Sequence, residues 1–449
     1  MRVRRSQLPP GPRGRIVPAL QAIAEPFESL ERWVSRYGDP FTVASPNGIM
    51  VMTGEPEPLK RIFGADPDTF EVFSPGVLTP VLGERSLLLL AGAAHRRERR
   101  LLMPAFHGAR MRAYGEAMAA ISRRAIEREG VGRPFVMQRL TQAVSLEVII
   151  QTVFGVDDPA RYGEYAAATI EVMESVHPSF LFFPALRREF GGHGPFARMQ
   201  RAQRRFSALL DQQVERARPE AERRSDILSM LLAARYEDGA AMERESLVDE
   251  LRTLLFAGHE TTALALAWAF EWVHRTPAVL ERLRAEIDGL GPDPSPEALA
   301  GLPYLEAVCN ESLRISPLLT EVVRQLRVPF ELGGYTIPAG VALAPSVILA
   351  HHRAQTFPEP GRFRPERFLE RSYSPFEFMP FGGGTRRCLG AAFALFEMKI
   401  VLGTILGAVD LEPTSARPAR PYRRNLSIAP RGGVPMVVRS RRDPRRAAA

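Results

Sequence analysis

Phe381-Gly-Gly-Gly-Thr-Arg-Arg-Cys-Leu-Gly390 is the stretch that decides the fold, and a helix is predicted directly after it, over residues 390–408. This order places Cys388 at the amino end of a helix, where unpaired N–H groups and the helix dipole favour a thiolate. Gly384 and Gly390 allow the backbone to approach a bulky, flat ligand closely. The pattern therefore predicts a thiolate beside a large ligand.

Two further side chains of this loop fit the same interpretation. Arg386 can bind an anion beside the ligand, and Phe381 can pack against the sulfur and shield it. A buried thiolate is the axial ligand that favours O–O cleavage at haem iron. An inert buried cysteine after a glycine-rich turn is the alternative, whereas a nucleotide-binding loop is disfavoured because no Lys-Ser/Thr pair follows the glycines.

Composition narrows the class of protein. The chain has 449 residues, of which 45% are hydrophobic and 24% charged, as in soluble globular proteins. Its two cysteines, Cys309 and Cys388, exclude a disulfide framework, a four-thiolate zinc site and an iron–sulfur cluster built from this chain alone. They indicate a reducing, cytoplasmic compartment.

The net charge of +8 raises the question of nucleic acid, but basic and acidic residues are interspersed and no basic helix, zinc finger or aromatic-basic platform is present. We therefore expect no nucleic-acid partner. The basic start of the chain has no apolar core, unlike a signal peptide. No window of 18 apolar residues is found, since the closest run, Ala263 to Phe270, is eight long, so we expect no membrane anchor.

Periodicity predicts a mainly α protein with a small β region, an α+β fold class. The central element is a helix from Leu247 to Arg275, apolar nearly all round and thus a core helix. Shorter helices are predicted at 26–37, 56–64, 278–288 and 303–315, and strands at 41–43, 49–53, 322–331, 341–347 and 434–438. No repeat or linker divides the chain, so a single domain over 1–449 is expected, with flexible tails at 1–18 and 439–449.

Three more motifs have an ordinary and a functional interpretation. Glu311-Ser-Leu-Arg314 is commonly a surface ion pair at i, i+3. In Ala257-Gly-His-Glu-Thr-Thr262 an acid and a hydroxyl lie in the middle of an apolar helix, where they cost free energy unless they are used. The ordinary interpretation is that the acid faces solvent or that the hydroxyl bonds to the preceding turn. The ordinary interpretation of Gly92-Ala-Ala-His-Arg-Arg-Glu-Arg-Arg100 is a solvated basic helix. A zinc helix at His259-Glu260 is excluded because residue 263 is alanine.

Together, and in this order along nearly the whole chain, these motifs resemble those of the cytochrome P450 family, the haem-thiolate monooxygenases. The resemblance implies the family's fold, with haem b between the long core helix and the cysteine-loop helix. It implies that the Cys388 thiolate is the axial iron ligand. It also implies a structural triad of Glu311, Arg314 and Arg367, the last from Pro365-Glu-Arg-Phe368.

The resemblance also assigns the remaining site residues. Gly258 leaves room for a ligand against the core helix, Glu260 relays protons, and Thr261 donates a hydrogen bond to the oxygen that the haem binds. The expected ligands of the haem propionates are His95, Arg99, Arg324 and Arg386. Cys309 is interpreted as an ordinary buried residue, and His351-His352 is assigned no catalysis.

The implied reaction is hydroxylation or epoxidation of a hydrophobic small molecule, such as a fatty acid, terpenoid, steroid or polyketide, with O₂. Electrons would come from a separate ferredoxin or flavodoxin with its reductase, docking on exposed arginines, and the enzyme would be a cytoplasmic monomer. The expected docking residues are Arg96, Arg97, Arg100 and Arg387. A peroxide-driven peroxygenase and a non-catalytic haem- or ligand-binding protein are the alternatives.

The walls of the substrate pocket are expected to be apolar, with Thr320 and Ser427 as polar points. By the same resemblance they are formed by residues 77–90, 180–183, 255–256, 319–323 and 426–428.

Overall fold

Helices dominate the chain. This computed structural model describes residues 8–106, 110–176 and 186–442. The α-helices in these ranges are α1 (Ile16–Ala24), α2 (Pro26–Tyr37), α3 (Pro56–Gly64), α4 (Thr79–Leu82), α5 (Gly92–Leu102), α6 (Arg110–Glu127), α7 (Met137–Thr152), α8 (Pro159–Ser175), α9 (Pro195–Ala217), α10 (Ile227–Ala233), α11 (Arg244–Arg275), α12 (Pro277–Asp288), α13 (Pro296–Ala300), α14 (Pro303–Ile315), α15 (Val347–His351), α16 (Arg367–Glu370) and α17 (Ala391–Ala408).

The strands are short and form small sheets. In the same ranges they are β1 (Phe41–Ser45), β2 (Gly48–Thr53), β3 (Phe70–Glu71), β4 (Pro134–Val136), β5 (Arg324–Leu326), β6 (Phe330–Leu332), β7 (Tyr335–Ile337), β8 (Ala342–Pro345), β9 (Val409–Pro413), β10 (Pro421–Arg424), β11 (Ser427–Pro430) and β12 (Pro435–Arg441). The predicted class, mainly α with a small β region, is confirmed.

The described chain divides into two units. The first contains residues 8–73, 122–141 and 263–442, and the second contains 74–106, 110–121, 142–176 and 186–262.

The first unit contains every strand named above. Its main sheet has the order β1-β2-β8-β5-β3, in which β2 and β8 are parallel and the other neighbours antiparallel. Side chains alternate along β2, so Val51 packs on the side of α3 and Met52 on the side of α2. The sheet thus buries apolar residues on both faces and fixes the start of β5, which carries Arg324.

The helical part of the first unit is centred on α17. This helix is apolar on nearly all sides and packs against α12, α13 and α14. By length and mean hydropathy it could cross a membrane, although Glu397, Lys399 and Thr404 interrupt it, so it is not a window of 18 apolar residues. However, 67% of it is buried inside the protein, as in the core helix of a globular fold.

The second unit is helical. In it α8 and α9 pack side by side, and the buried Tyr165 hydroxyl donates to the Leu209 carbonyl at 2.7 Å. Val81 and Leu82 of α4 form a small apolar cluster with Val176 and Met199. The segment 74–91 is thereby fixed to the helices of its own unit.

Both predicted tails are corrected in part. Leu8 is buried in the first unit, and Thr42 donates its N–H to Pro10 O at 2.9 Å and its hydroxyl to Pro9 O at 2.7 Å. A Cβ at position 11 would meet the Thr42 carbonyl oxygen at 1.9 Å, so only glycine fits there. At the other end β12 continues to Arg441, because it pairs with β9.

Candidate active site

The cysteine loop closes on itself before α17 begins. The Cys388 N–H donates to Phe381 O at 2.9 Å, and Arg387 N–H donates to Gly384 O at 3.1 Å. Cys388 is exposed and lies two residues before Gly390, which is the residue preceding the first turn of α17. Gly390 has φ −86, so its role is not a left-handed turn, whereas Gly384 has φ +65.

The loop lies against α3, and the fit requires glycine. A Cβ at Gly383 would meet the Phe63 ring at 2.5 Å, and one at Gly384 would meet the Phe63 carbonyl oxygen at 2.6 Å. The two glycines therefore let the loop pack on Phe63 with the Cys388 side open.

Arg324 is a buried cation beside this loop. One of its Nη atoms donates to the Gly383 carbonyl, and its guanidinium lies 5.1 Å from the Phe63 ring centre. Among the described residues its Nε has no hydrogen-bond partner and no carboxylate lies within ion-pair distance. Burial, with a smaller contribution from the Arg386 cation, lowers the pKa of Arg324 to about 10.

Two guanidinium groups at one place, one of them buried without a counter-ion in the described chain, require an anion. A haem has two propionate carboxylates and an iron that binds a thiolate. The residues of the first unit therefore fit that cofactor: Cys388 for the iron, and Arg324 and Arg386 for a propionate.

The predicted triad is a fully buried ion-pair cluster. Arg314 donates to both carboxylate oxygens of Glu311, at 2.7 and 2.8 Å, and Arg367 donates to Glu311 Oε1 at 3.2 Å. Both arginines also donate to the carbonyl of Arg362, at 3.3 Å. The cluster thus ties α14 to the coil before the cysteine loop.

A histidine that the sequence interpretation left without a role also supports this coil. His351 is buried, and its Nε2 accepts the Met379 N–H at 2.9 Å, so the ring is neutral with its proton on Nδ1. Burial, with Arg314 nearby, holds its pKa well below the ordinary value. The only sequence signal was its place between an apolar helix and the aromatic-rich coil, and that signal is too general to identify it.

In the second unit, α11 carries the acid and the hydroxyl. Thr261 is half-buried and donates its hydroxyl to the Ala257 carbonyl at 2.6 Å, which is the bond to the preceding turn that the sequence left open. Glu260 is buried, whereas Ala257 is exposed and Gly258 half-buried. The small residues 257 and 258 thus leave this segment of the helix backbone accessible beside a carboxyl and a hydroxyl.

Helix α5 has a buried side and an exposed basic side. His95 is buried and Arg99 half-buried, four residues apart, whereas Arg96, Arg97 and Arg100 are exposed. The i, i+4 spacing predicts that His95 and Arg99 share a side of the helix, and both are less exposed than the other three basic residues.

Two of the exposed arginines are neutralised by a turn over residues 236–240. Arg97 pairs with Asp238 at 2.8 Å and lies 4.0 Å over the Tyr236 ring, and Arg100 pairs with Glu237. The sequence analysis assigned these arginines to docking of a redox partner, without acidic neighbours of their own. Their partners lie some 140 residues away in sequence, so periodicity could not reveal them.

Two buried acids, Glu98 of α5 and Glu250 of α11, were not predicted to have a role. Glu250 Oε1 accepts the Leu87 N–H at 2.6 Å, and Glu98 Oε2 accepts the Tyr236 hydroxyl at 2.8 Å. Burial, followed by repulsion from Glu98, raises the pKa of Glu250 to about 8. The sequence offered one sign of this site: Glu250 lies among apolar residues at the start of the core helix.

The expected pocket walls fall into two sets, one in each unit. In the second unit Val77, Leu78, Leu89 and Phe256 pack on one apolar cluster. In the first unit Ile428 N–H donates to Leu318 O at 2.8 Å, so hairpin β10–β11 lies beside residues 318–323. Residues 180–183 lie outside the described residues.

The remaining cysteine has no chemical role in this geometry. Cys309 is buried, and burial raises the pKa of its thiol to about 12. Across 8–106, 110–176 and 186–442, no group of three or more His, Cys, Asp or Glu side chains could hold a metal ion.

Comparison with known proteins agrees with this geometry. The family model described as Cytochrome P450 matches residues 8–434. A Mycobacterium tuberculosis protein named cytochrome P450 135B1 is 36% identical over 97% of this chain and 92% of its own length. Another from that organism, named cytochrome P450 138, is 33% identical over 97% of both chains.

A solved structure has the same fold. The retinoic acid-bound cyanobacterial CYP120A1 superposes with a TM-score of 0.83 over 97% of this chain and 100% of its own, at 23% sequence identity. The fold, the residues that fit haem and the family match lead to one conclusion. The chain belongs to the cytochrome P450 family, which binds haem b through a cysteine thiolate, here that of Cys388.

Proposed function

We propose that this protein is a cytoplasmic monooxygenase that hydroxylates or epoxidises a hydrophobic small molecule, with electrons from a separate ferredoxin or flavodoxin. The observation that carries the proposal is the segment 257–261 of α11, where a buried carboxyl and a hydroxyl accompany accessible backbone just before the buried apolar run Ala263 to Phe270. Polar groups placed there cost free energy unless they are used.

The reaction is RH + O₂ + 2 e⁻ + 2 H⁺ → ROH + H₂O, in which one oxygen atom enters the substrate and the other leaves as water. When bound, haem supplies the activation of O₂ and the insertion of one oxygen atom. The chain has to bind the cofactor and the substrate and to supply two protons.

The proton-handling residues are Glu260 and Thr261. The Glu260 carboxyl is buried in the helix next to Thr261 and can hold and release a proton. The Thr261 hydroxyl donates to the Ala257 carbonyl in this structure, and a rotation about its χ1 angle redirects that donor into the accessible space. We infer that this pair directs protons to the reacting oxygen.

The binding residues act on the cofactor and on the protein around it. We infer that His95, Arg99, Arg324 and Arg386 bind the propionates, and that Gly258 leaves space for the ligand. Glu311, Arg314 and Arg367 hold the coil that positions the cysteine loop and touch no reacting atom.

The apolar walls in both units support a hydrophobic substrate: a fatty acid, terpenoid, steroid or polyketide. The neighbouring structure bound to retinoic acid adds apolar isoprenoid acids to this range. In the first unit, Arg423 donates to the Thr320 hydroxyl at 2.8 Å, so a polar end of a substrate has a candidate contact there.

The test is an optical titration of the purified ferric protein with fatty acids, retinoids, terpenoids, steroids and macrolides. A ligand that fits the pocket is expected to shift the Soret band of the haem-loaded protein towards the high-spin form. A saturable shift with one apolar class supports the proposal. A shift only with charged, hydrophilic ligands would contradict the proposed substrate class.

A further inference from the structure

Helix α1 exposes an apolar side that nothing in the described chain covers. The exposed fractions of Ile16, Val17, Leu20 and Ile23 are 67%, 63%, 59% and 50%. Residues 16, 20 and 23 follow i, i+4, i+7 spacing, so they form one stripe, with Val17 at its edge. The helix is held from the other side, where Pro18 is buried and α2 and β1 pack against it.

The amino end of this stripe is positively charged. Arg13 and Arg15, directly before the helix, are exposed, and neither forms an ion pair within the described part of the chain. The first 24 residues of the sequence contain five arginines and no aspartate or glutamate; the first acid is Glu25. Cations therefore flank the amino end of the apolar stripe, and at its other end the exposed Glu25 is paired with Arg32 at 3.0 Å.

This combination favours a membrane surface over a second copy of the chain. In a symmetric dimer built on α1 each copy would bring the same two arginines to the contact, and the nearest acid in sequence, Glu25, is already paired with Arg32 of its own copy at 3.0 Å. An anionic bilayer offers the complementary charge for the arginines and an apolar layer for the stripe. The fixed position of α1 on the sheet also means that no ordering of the helix is required on binding.

We propose that α1, with Arg13 and Arg15, docks this protein peripherally and reversibly on anionic lipid bilayers. Ile16, Leu20 and Ile23 enter the interface and the arginines contact the lipid phosphates. Docking of this kind spans no membrane, and it does not depend on the proposed reaction.

The experiment is co-flotation of the full-length, haem-loaded protein with vesicles of phosphatidylcholine alone or of equal parts phosphatidylcholine and phosphatidylglycerol. We expect roughly tenfold stronger binding to the anionic vesicles, lost at high salt. Two double variants test the two parts of the surface: Ile16→Ser with Leu20→Ser, and Arg13→Gln with Arg15→Gln. Leu369→Ser, at another exposed leucine, is the matched control.

Binding that falls several-fold in both double variants and persists in the control supports the proposal. Equal binding to both vesicle types, or undiminished binding of either double variant, would overturn it. A wild-type dimer in analytical ultracentrifugation that becomes a monomer in the Ile16→Ser, Leu20→Ser variant would also overturn it, in favour of a second copy. Unchanged circular dichroism and haem absorption show that each variant is folded.

Discussion

At the scale of single residues, the two cysteines of this chain have opposite environments. Cys388 is exposed in a closed loop beside two guanidinium groups, whereas Cys309 is buried and its thiol pKa is raised to about 12. Environment therefore decides that one sulfur is a metal ligand and the other a packing atom.

This contrast gives a direct prediction. Cys388→Ala removes the thiolate, so the purified protein should lack the absorption spectrum of thiolate-ligated haem, while Cys309→Ala should keep it. Reduced, carbon monoxide-bound spectra of both variants provide the measurement. A thiolate spectrum that survives in the first variant would contradict the assignment of Cys388.

Glu250 gives a prediction on pH. Its pKa rises from an ordinary 4.5 to about 8, so the folded protein holds this proton more tightly than the unfolded chain. The associated stability is fully present below about pH 4.5 and is lost as the pH rises through 8. Glu250→Gln keeps an acceptor for the Leu87 N–H and removes the charge.

At pH 9 the variant should therefore be more stable than the wild type, with a free energy of unfolding higher by roughly 1–3 kcal/mol and a higher unfolding temperature. Near pH 4.5 the two proteins should unfold at similar temperatures. Thermal unfolding followed by circular dichroism measures the difference. Glu245→Gln, at an exposed acid on the same helix, is the control and should show no such trend. A gap between Glu250→Gln and wild type that does not change with pH would contradict this account.

The sequence identified the residues whose chemistry is written in a local pattern. Each of these motifs is short: the cysteine loop spans ten residues, from Phe381 to Gly390, and Glu311 and Arg314 are three residues apart. Spacing within the motif therefore suffices to find them. Glu98, Glu250 and His351 were not assigned because their environments come from residues far away in sequence.

At the scale of elements, α5 and the turn over residues 236–240 form a charged unit of their own. The turn supplies Glu237 and Asp238 to two of the arginines that we propose for redox-partner docking. These pairs are exposed and contribute little to stability, but they lower the positive potential that an acidic partner meets.

Glu237→Gln with Asp238→Asn should therefore speed reduction by an acidic ferredoxin, roughly threefold at low ionic strength, and the gain should shrink as salt is added. Stopped-flow reduction under carbon monoxide measures the rate, and dithionite, which needs no docking, is the control reductant. Reduction by ferredoxin that slows in this variant would show that the acids, and not the arginines, contact the partner. Arg100→Glu should slow the same step.

Elements with strong local signals were predicted within a few residues. The helices over 26–37, 56–64 and 303–315 have the predicted bounds, since proline at or next to the first turn and amphipathic spacing define them. Helix α1 and hairpin β10–β11 were not predicted. The first is short and exposes its apolar residues, and the second is half-buried throughout β10, so neither shows the usual alternation of buried and exposed positions.

At the scale of the whole molecule, the fold followed from the family resemblance more than from any sum of local predictions. Three helices, α6, α7 and α11, contribute residues to both units. This sharing is consistent with the absence of a linker in the sequence. The single-domain prediction over 1–449 stays a prediction. One cooperative unfolding transition, seen alike by haem absorption and circular dichroism, is the expected behaviour.

We propose that the chain uses O₂ and external electrons, with Glu260 and Thr261 directing protons. The most direct measurement supplies ¹⁸O₂, ferredoxin, its reductase and NADPH with the ligand that shifts the Soret band, for wild type and Thr261→Ala. We expect one ¹⁸O atom per product molecule, and a several-fold loss of product per NADPH in Thr261→Ala, with Thr261→Ser close to wild type. Product formed equally well by both proteins from hydrogen peroxide without the reductase would contradict it and identify a peroxygenase; absence of product with all components present would indicate a non-catalytic haem protein.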